Sequence, residues 1–436
     1  MENKKKNKIE ISKFEFEKTF IFSALIVAYF VFGLYIGENS AGAGGYNSDF
    51  KLIWDNLNLL KNGIITNLDN PLYNDSRPPL SYILHIFFNP FINDKDSFRI
   101  STFIISSIIP FLLFFSIKKK YSNLNFNIIL ILCLILTLSP YFRTTAYWGL
   151  GENYAFIFVI LTSLLLENFK KDISIQSDLD LTLRIVLLCF LSSIVVYFDQ
   201  KLILIPLFVF LSIIFSKINL RFKLLSIVLF VLFALPYIYL IYIWGAIIPS
   251  SAAKAREVGL TINFFHPIYC VTIIAFYIFP FLFMKDFTIV KLIKNNAKII
   301  ISLLILSLGY FFIVFYFYDF ETLPLDGKGV FFKLYFLIFE NIDVQIYLTL
   351  ITFLTSIVII LLFFEHLTDF LIIFYFVILS LFTFPFYQEY LDPILLILLF
   401  TFLKVRLTFN KINIMFLITY FIVFSLGSNI YYKSIL

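Results

Sequence analysis

The chain is a succession of apolar runs separated by short polar connectors, and that pattern leaves little freedom. A peptide segment inside hydrocarbon finds no water, so it must satisfy its own N–H and C=O groups, and an α-helix does so locally. Crossing a bilayer takes about 17–25 residues. Runs of that kind lie near residues 19–37, 98–117, 126–141, 152–167, 184–198, 202–216, 224–243, 266–284, 299–318, 344–364, 370–386, 391–403 and 412–428. Several are short, and 367–403 can form one tight helical hairpin. Apolar residues make up 61% of the chain and mean hydropathy is +0.93, against about 45–50% apolar in soluble domains. The expectation is an all-α polytopic membrane protein with about 11–13 transmembrane helices. It forms a single integral membrane domain over residues 1–436, with no internal repeat and no soluble domain. Met1–Lys18 is charged and the following run lacks a small-residue cleavage site, so no cleavable signal peptide is expected. Cys133, Cys189 and Cys270 all sit in apolar runs, with neither a disulfide framework nor metal spacing.

Lysine and arginine give the orientation. With the N-terminus in the cytoplasm, the inner connectors hold 22 of the 34 basic residues, while 17 of the 28 acidic residues fall outside. Every inner connector except Glu365 to Asp369 is then basic. Seven polar patches face outward: 38–97, 142–151, 199–201, 244–265, 319–343, 387–390 and the tail 429–436. The predicted location is the plasma (inner) membrane, multi-pass, with the functional face outward.

The longest polar interruption is the first outer loop, 38–97; a late outer loop follows at 319–343. In the first, Phe50, Ile53, Trp54, Leu57 and Leu60 recur at helical spacing, with Lys51, Asp55, Asn56, Asn58 and Lys61 on the other face. Such a helix is too short and too charged to span, so it should lie in the interface with its apolar face down. Asn47 or Ser48 can cap it, and Asn62-Gly63 can end it. Asp49 then stands in the first turn, where the helix dipole favours a carboxylate; a plain helix-start role is the competing reading.

Ionisable residues are nearly absent from the span centres and gather at the outer ends: Asp49, Arg77, Arg99, Arg143, Glu152, Asp199, Lys201, Lys333 and Glu389. Polar loop ends account for many of these one by one. They account poorly for Asp199-Gln200-Lys201, a three-residue turn between apolar runs, or for Tyr387-Gln388-Glu389-Tyr390. Gly42-Ala43-Gly44-Gly45 is not a phosphate loop, because no Lys-Ser/Thr follows and no strand precedes it. His85, His266 and His366 have no ligand spacing, so no metal is assigned, although a divalent ion at Asp49 is left open. No cofactor is expected. Asp326-Gly327-Lys328-Gly329, leading into Val330 to Leu334, reads either as a glycine hinge before a re-entrant helix or lid or as a plain interfacial helix.

The order of span, Asp49, interfacial helix, Pro71-Leu72-Tyr73, Arg77-Pro78-Pro79-Leu80-Ser81-Tyr82, Asp96-Ser97-Phe98-Arg99 and span resembles the first outer loop of GT-C membrane glycosyltransferases. It is most similar to the protein mannosyltransferase and aminoarabinose transferase branch. The resemblance covers roughly residues 20–205, with the Arg-Pro-Pro-Leu-x-Tyr string as its most specific part. It implies Asp49 as catalytic base and a substrate-binding role for the basic residue before the two prolines, Arg77. Here Phe50 replaces the second acidic residue usual in the family, and arginine replaces the frequent lysine. Lys201 resembles a further family position, and Gln388-Glu389-Tyr390 a late outer turn without its arginine. The implied activity is transfer of a sugar from a polyprenyl-phosphate donor to an acceptor hydroxyl on a glycan, lipid or protein. The substrate-binding candidates are Arg77, Tyr82, Arg99, Arg143, Glu152, Lys201, Lys333, Glu389 and Tyr390, with membrane lipids as neighbours and no nucleic acid.

The residue inventory suits that chemistry. The phosphate leaves as an anion and needs no general acid, so one base and a few cations suffice, and a pair of facing carboxylates is not required. Two competing readings are a transporter or flippase of lipid-linked glycans and a polymerase of them. A transporter should show paired repeats, broken helices and midplane polar residues, none legible here. A polymerase should carry a larger late loop rich in arginine.

Overall fold

The computed structural model describes residues 20–41, 49–172, 177–255, 262–285, 289–318, 327–383 and 386–435. The helices are α1 Phe20–Ile36, α2 Lys51–Lys61, α3 Ile64–Asn67, α4 Leu80–Phe88, α5 Lys95–Lys120, α6 Phe126–Ile135, α7 Pro140–Trp148, α8 Glu152–Asp172, α9 Asp178–Ile194 and α10 Leu204–Ile214. After them come α11 Leu220–Trp244, α12 Ser250–Ala255, α13 His266–Leu282, α14 Ile289–Phe317, α15 Val330–Ile338, α16 Ile342–Phe363, α17 Leu367–Leu381, α18 Ile394–Phe400 and α19 Lys411–Ile435. No β-strand occurs among the described residues. Among the described residues, seven helices are long and apolar enough to cross a membrane: α5, α8, α9, α11, α14, α16 and α19. Phe20–Ile36, Gln200–Ile214, His266–Leu282 and Leu367–Leu381 are apolar but shorter.

Two expected spans change. The run 391–403 is not a crossing helix: α18 has only 7 residues, all buried, which rise about 10 Å. Extended chain follows, tied by Thr408 N–H to the Met284 carbonyl at 2.7 Å. The run 126–141 is a helix that breaks, because Phe126–Leu138 and Pro140–Trp148 meet at 70°. Ser139 caps the second segment and Pro140 starts it, a pairing of residues that favours a helix start over continuation. The sequence hid this break because the second segment is mostly polar, so that 142–151 read as an outer connector rather than as the other half of a bent helix. By its internal packing the chain falls into two compact units, 1–252 with 421–436, and 253–420.

In the first unit the Lys119 ammonium donates to the Leu164 carbonyl at 2.7 Å and to Asn168 at 2.6 Å, which puts the C-terminal ends of α5 and α8 together. Since α9 packs along α8 and starts beside it, Asp178 shares that end, where Arg221 pairs with it. The N-terminal end of α8 and the turn after α9, with Glu152 and Asp199, lie at the opposite end. The two charge groups therefore lie at opposite ends of the helices.

Arg143 holds the break. Its side chain is fully buried, with Nε 2.8 Å from Glu38 Oε1 and Nη2 2.5 Å from Glu38 Oε2. Nη1 donates to the Thr137 carbonyl at the break (3.1 Å) and Nη2 to the Tyr29 carbonyl (3.1 Å), while the guanidinium covers the Tyr29 ring at 3.9 Å. Asn429 of α19 adds a hydrogen bond to Glu38 at 3.1 Å. Gly33 leaves the room: a Cβ there would lie 2.5 Å from Glu38 Oε2 and 2.6 Å from Arg143 Nη2. A buried charge that loses its partner is costly, so Arg143→Met should destabilise by about 3–5 kcal/mol. The double variant Glu38→Gln with Arg143→Met should recover part of that. Thermal unfolding in detergent checks both. An Arg143→Met protein that melts normally and only loses substrate would return Arg143 to a binding role.

In the second unit α13 packs against α16 and α17, and α14 and α15 pack against α16. Lys285 closes the C-terminal end of α16, donating to the Leu362 and Phe363 carbonyls at 3.3 and 2.7 Å and to Glu365 at 2.7 Å. The expected hinge is packed rather than loose. Gly327, Lys328 and Gly329 take φ of 88°, 61° and 83°, and a Cβ on Gly327 would collide with the Phe386 carbonyl. Lys328 donates its N–H to that carbonyl at 3.1 Å and is buried, its ammonium 4.5 Å from the Phe332 ring. Asp326 lies outside the described residues.

Candidate active site

The site grows from the loop before α4. Tyr73 is fully buried, takes a turn bond from its N–H to the Asn70 carbonyl (2.8 Å) and donates its hydroxyl to the Arg77 carbonyl (3.0 Å). Asp75 folds back to accept the Arg77 N–H at 3.0 Å, the short side-chain turn that aspartate favours. Pro78 and Pro79 then lead into α4, whose Tyr82 hydroxyl donates to Asp75 Oδ2 at 2.5 Å. Burial and the Asp75 charge push the Tyr82 phenol well above its ordinary pKa, so it stays a donor.

Three further stretches converge here. Arg77 places Nε 2.8 Å and Nη2 2.6 Å from Glu152 Oε1 at the start of α8, and Nη1 3.4 Å from Asp75. The Tyr141 hydroxyl of α7 donates to the same Glu152 oxygen at 2.9 Å, while Glu152 Oε2 is buried with no hydrogen-bond partner. In the turn after α9, Asp199 accepts the Lys201 N–H at 3.0 Å and its Oδ2 lies 3.2 Å from the Lys201 ammonium. Gln200 pins this turn to the loop through the Ser76 carbonyl at 2.8 Å. The carboxylates are almost wholly covered, whereas Arg77 is 13% and Lys201 20% exposed, so the two cations form the accessible rim.

Three carboxyl groups face two cations. Burial, helped by the charge of Glu152, pushes the Asp199 carboxyl up despite Lys201. Burial opposes the Arg77 charge, but Glu152 and Asp75 outweigh it and raise its pKa well above the ordinary value.

Of the sequence candidates, Arg77, Tyr82, Glu152 and Lys201 meet in this cluster. Arg143 does not: it is the buried anchor described above. Arg99 lies elsewhere on α5, its guanidinium 4.0 Å over the Trp148 ring and Nε donating to the Tyr147 carbonyl at 3.2 Å, with Asp96 3.6 Å away. Asp49 is half-buried and, with Phe50, forms a π-helical turn that runs directly into α2, while the expected caps Asn47 and Ser48 lie outside the described residues. Its neighbour Phe50 is buried against Phe98 and Trp148, which fixes the entry to α2. The apolar face of α2, with Ile53, Leu57 and Leu60, packs on α4 instead of reaching lipid. In the second unit Lys333 is half-buried on α15, and Glu389 and Tyr390 are half-buried in the turn before α18. Sequence reading missed Asp75, although Asn-Asp-Ser just before Arg77 is a turn signature. Nothing in the sequence marked Tyr141. No group of three or more His, Cys, Asp or Glu among the described residues is arranged to hold a metal ion.

Behind Tyr82 on α4, His85 is held neutral. Asn89 donates to His85 Nδ1 at 2.9 Å, and the Phe91 N–H fixes that amide by bonding its oxygen at 3.0 Å. Nε2 therefore carries the proton toward the Tyr154 hydroxyl, 2.9 Å away. Burial lowers the His85 pKa to about 4.

Composition and helices together define a polytopic, all-helical membrane protein. No protein-family model, curated protein or solved structure matches the chain.

The His85 shift sets a pH dependence. The unfolded chain binds a proton near pH 6.5 that the fold refuses until about 4. The His85 contribution is thus complete above pH 6.5 and is lost as pH falls toward 4, by ~3 kcal/mol. Melting temperature should fall over that window, and His85→Gln should flatten the fall. An unchanged slope in His85→Gln would place the proton elsewhere.

Proposed function

We propose that the protein is an inverting glycosyltransferase of the outer face of the plasma membrane, using a sugar linked to polyprenyl phosphate. The observation that supports this reading is the convergence of Arg77 and Tyr82, from the Arg-Pro-Pro-Leu-x-Tyr string, with Glu152 and Lys201 at one end of the helices. Lys201 and Arg77, on the rim, hold the donor phosphate, arginine by its planar fork. Asp49 takes the proton of the acceptor hydroxyl. That oxygen bonds to the anomeric carbon while the carbon–phosphate-oxygen bond breaks, and the lipid phosphate leaves as the anion. The acceptor is a glycan, lipid or protein hydroxyl.

A second reading, a transporter or flippase of lipid-linked glycans, gains one observation: the 70° break between α6 and α7. The break is closed by Arg143 on the Thr137 carbonyl, which favours a static element over a moving one.

Asp49→Asn keeps the size of the side chain and removes the base, so turnover should fall about a hundred- to ten-thousandfold with melting temperature unchanged. Asp69→Asn, on an exposed residue of the same loop, should leave turnover intact. Transfer from a polyprenyl-phosphate sugar to a hydroxyl acceptor, followed with radiolabelled donor, reads both. An active Asp49→Asn protein would remove Asp49 as base. Orientation is read separately in whole cells. An impermeant maleimide should label Asn74→Cys and not Ser122→Cys, against a background of three buried cysteines. The reverse labelling would put the site on the cytoplasmic side.

A further inference from the structure

A cavity of about 420 Å³ opens along α2. One wall is the helix face carrying Asp55, Asn58 and Asn62, with Leu52 and Leu59 beside them. These recur at spacings of three and four, so they share one face, opposite the buried Ile53, Leu57 and Leu60. The other wall is the chain at Leu72 and Asn74.

That second wall is built, not draped. Asn56 is buried on α2 and reaches across, its amide donating to Asn74 Oδ1 at 3.1 Å while Asn74 N–H returns to Asn56 Oδ1 at 3.3 Å. Asn67 donates to the Leu59 and Gly63 carbonyls at 3.2 and 2.8 Å, Asn70 donates to Asn67 at 2.9 Å, and Leu72 N–H bonds Asn70 Oδ1 at 3.0 Å. Between the exposed Leu72 and Asn74, Tyr73 points inward and is fully buried. The sequence placed Asn56 on the polar face of the helix; its burial is explained by this bridge.

We infer that this groove binds an uncharged saccharide. Its polar lining is three carboxamides and one carboxylate, and each amide both donates and accepts, which matches the paired donor and acceptor character of sugar hydroxyls. No lysine or arginine lines it, and Asp55 repels phosphate. The three leucines offer a surface to the C–H faces of a pyranose ring. The volume falls in the ordinary range for small-molecule sites, about 300–1,000 Å³. Asn74 lines the groove and Asp75, the next residue, anchors Arg77, so a saccharide held there lies one residue along the chain from the candidate active site. Only the role of this saccharide as the acceptor rests on the transferase reading; the binding does not.

The test is saturation-transfer NMR on the full-length protein in detergent. The probes are uncharged methyl hexosides and methyl pentosides, with glucose 6-phosphate, phosphoethanolamine and a neutral tripeptide as other arms. At least one methyl glycoside should bind saturably at millimolar concentration. Asn58→Ala with Asn62→Ala should weaken it about tenfold, the effect of losing one or two hydrogen bonds, and Leu72→Trp should block it by filling the groove. All these positions are exposed or half-exposed, and unchanged melting temperatures verify folding. Binding should persist in Asp49→Asn. Absence of glycoside binding, equal binding by the groove variants, or preference for a phosphate or peptide arm overturns the inference. Glycoside binding without sugar transfer keeps the groove and removes the transferase; transfer with an acceptor KM untouched by the groove variants does the converse.

Discussion

A backbone carbonyl in hydrocarbon must have a donor, and this chain meets that requirement with its scarce polar side chains. Where a helix runs unbroken the demand is met internally. Where it breaks or ends, a side chain arrives. Arg143 serves Thr137 at the α6–α7 break; Lys285 serves Leu362 and Phe363 at the end of α16. At Pro236 within α11, the Tyr197 hydroxyl enters the helix, accepting the Tyr237 N–H at 3.2 Å and donating to the Phe233 carbonyl. Proline within a helix leaves such carbonyls unserved, so the inserted phenol is a repair. The broken α6–α7 element, the C-terminal part of α19 through Asn429 and the chain just after α1 all meet at Glu38 and Arg143.

The cluster around Arg77 obeys the same rule with a different result. Among the described residues, Arg77 places its donors on carboxylates, and Glu152 takes three donor contacts on one oxygen while the other meets no donor. A fold concerned only with stability has little use for three buried carboxyl groups beside two cations, because desolvation offsets much of the Coulomb gain. The contrast separates the arginines: one seals backbone, the other sits 13% exposed at a charged rim.

Much of the helical architecture was legible. Apolar runs of full length became helices because period and hydropathy agree along them. The failures have physical causes. At 391–403 the run is as apolar as a span, but its seven-residue helix is buried among other helices and then gives way to extended chain, a tertiary choice that hydropathy cannot see. The break at Ser139-Pro140 carried its own signal, a cap residue followed by proline, but it falls where the apolar run gives way to polar residues and so read as the end of a span. Among the site residues, Arg77 and Tyr82 were legible from their motif, whereas Arg143 read as an interfacial cation and proved to be a buried backbone donor. Its true partner, Glu38, stands 105 residues away, beyond the reach of any local pattern. Asp75 and Tyr141 joined the site only through the fold of the loop.

Retention of a polyprenyl monophosphate through native mass spectrometry tests this division of labour most directly. The account predicts a bound lipid on the wild-type protein, loss of about ten- to a hundredfold in affinity in Lys201→Met, where a charge-assisted contact of about 1.5–3 kcal/mol is removed, and undiminished retention in the folded fraction of Arg143→Met. Retention lost in Arg143→Met and kept in Lys201→Met would contradict it.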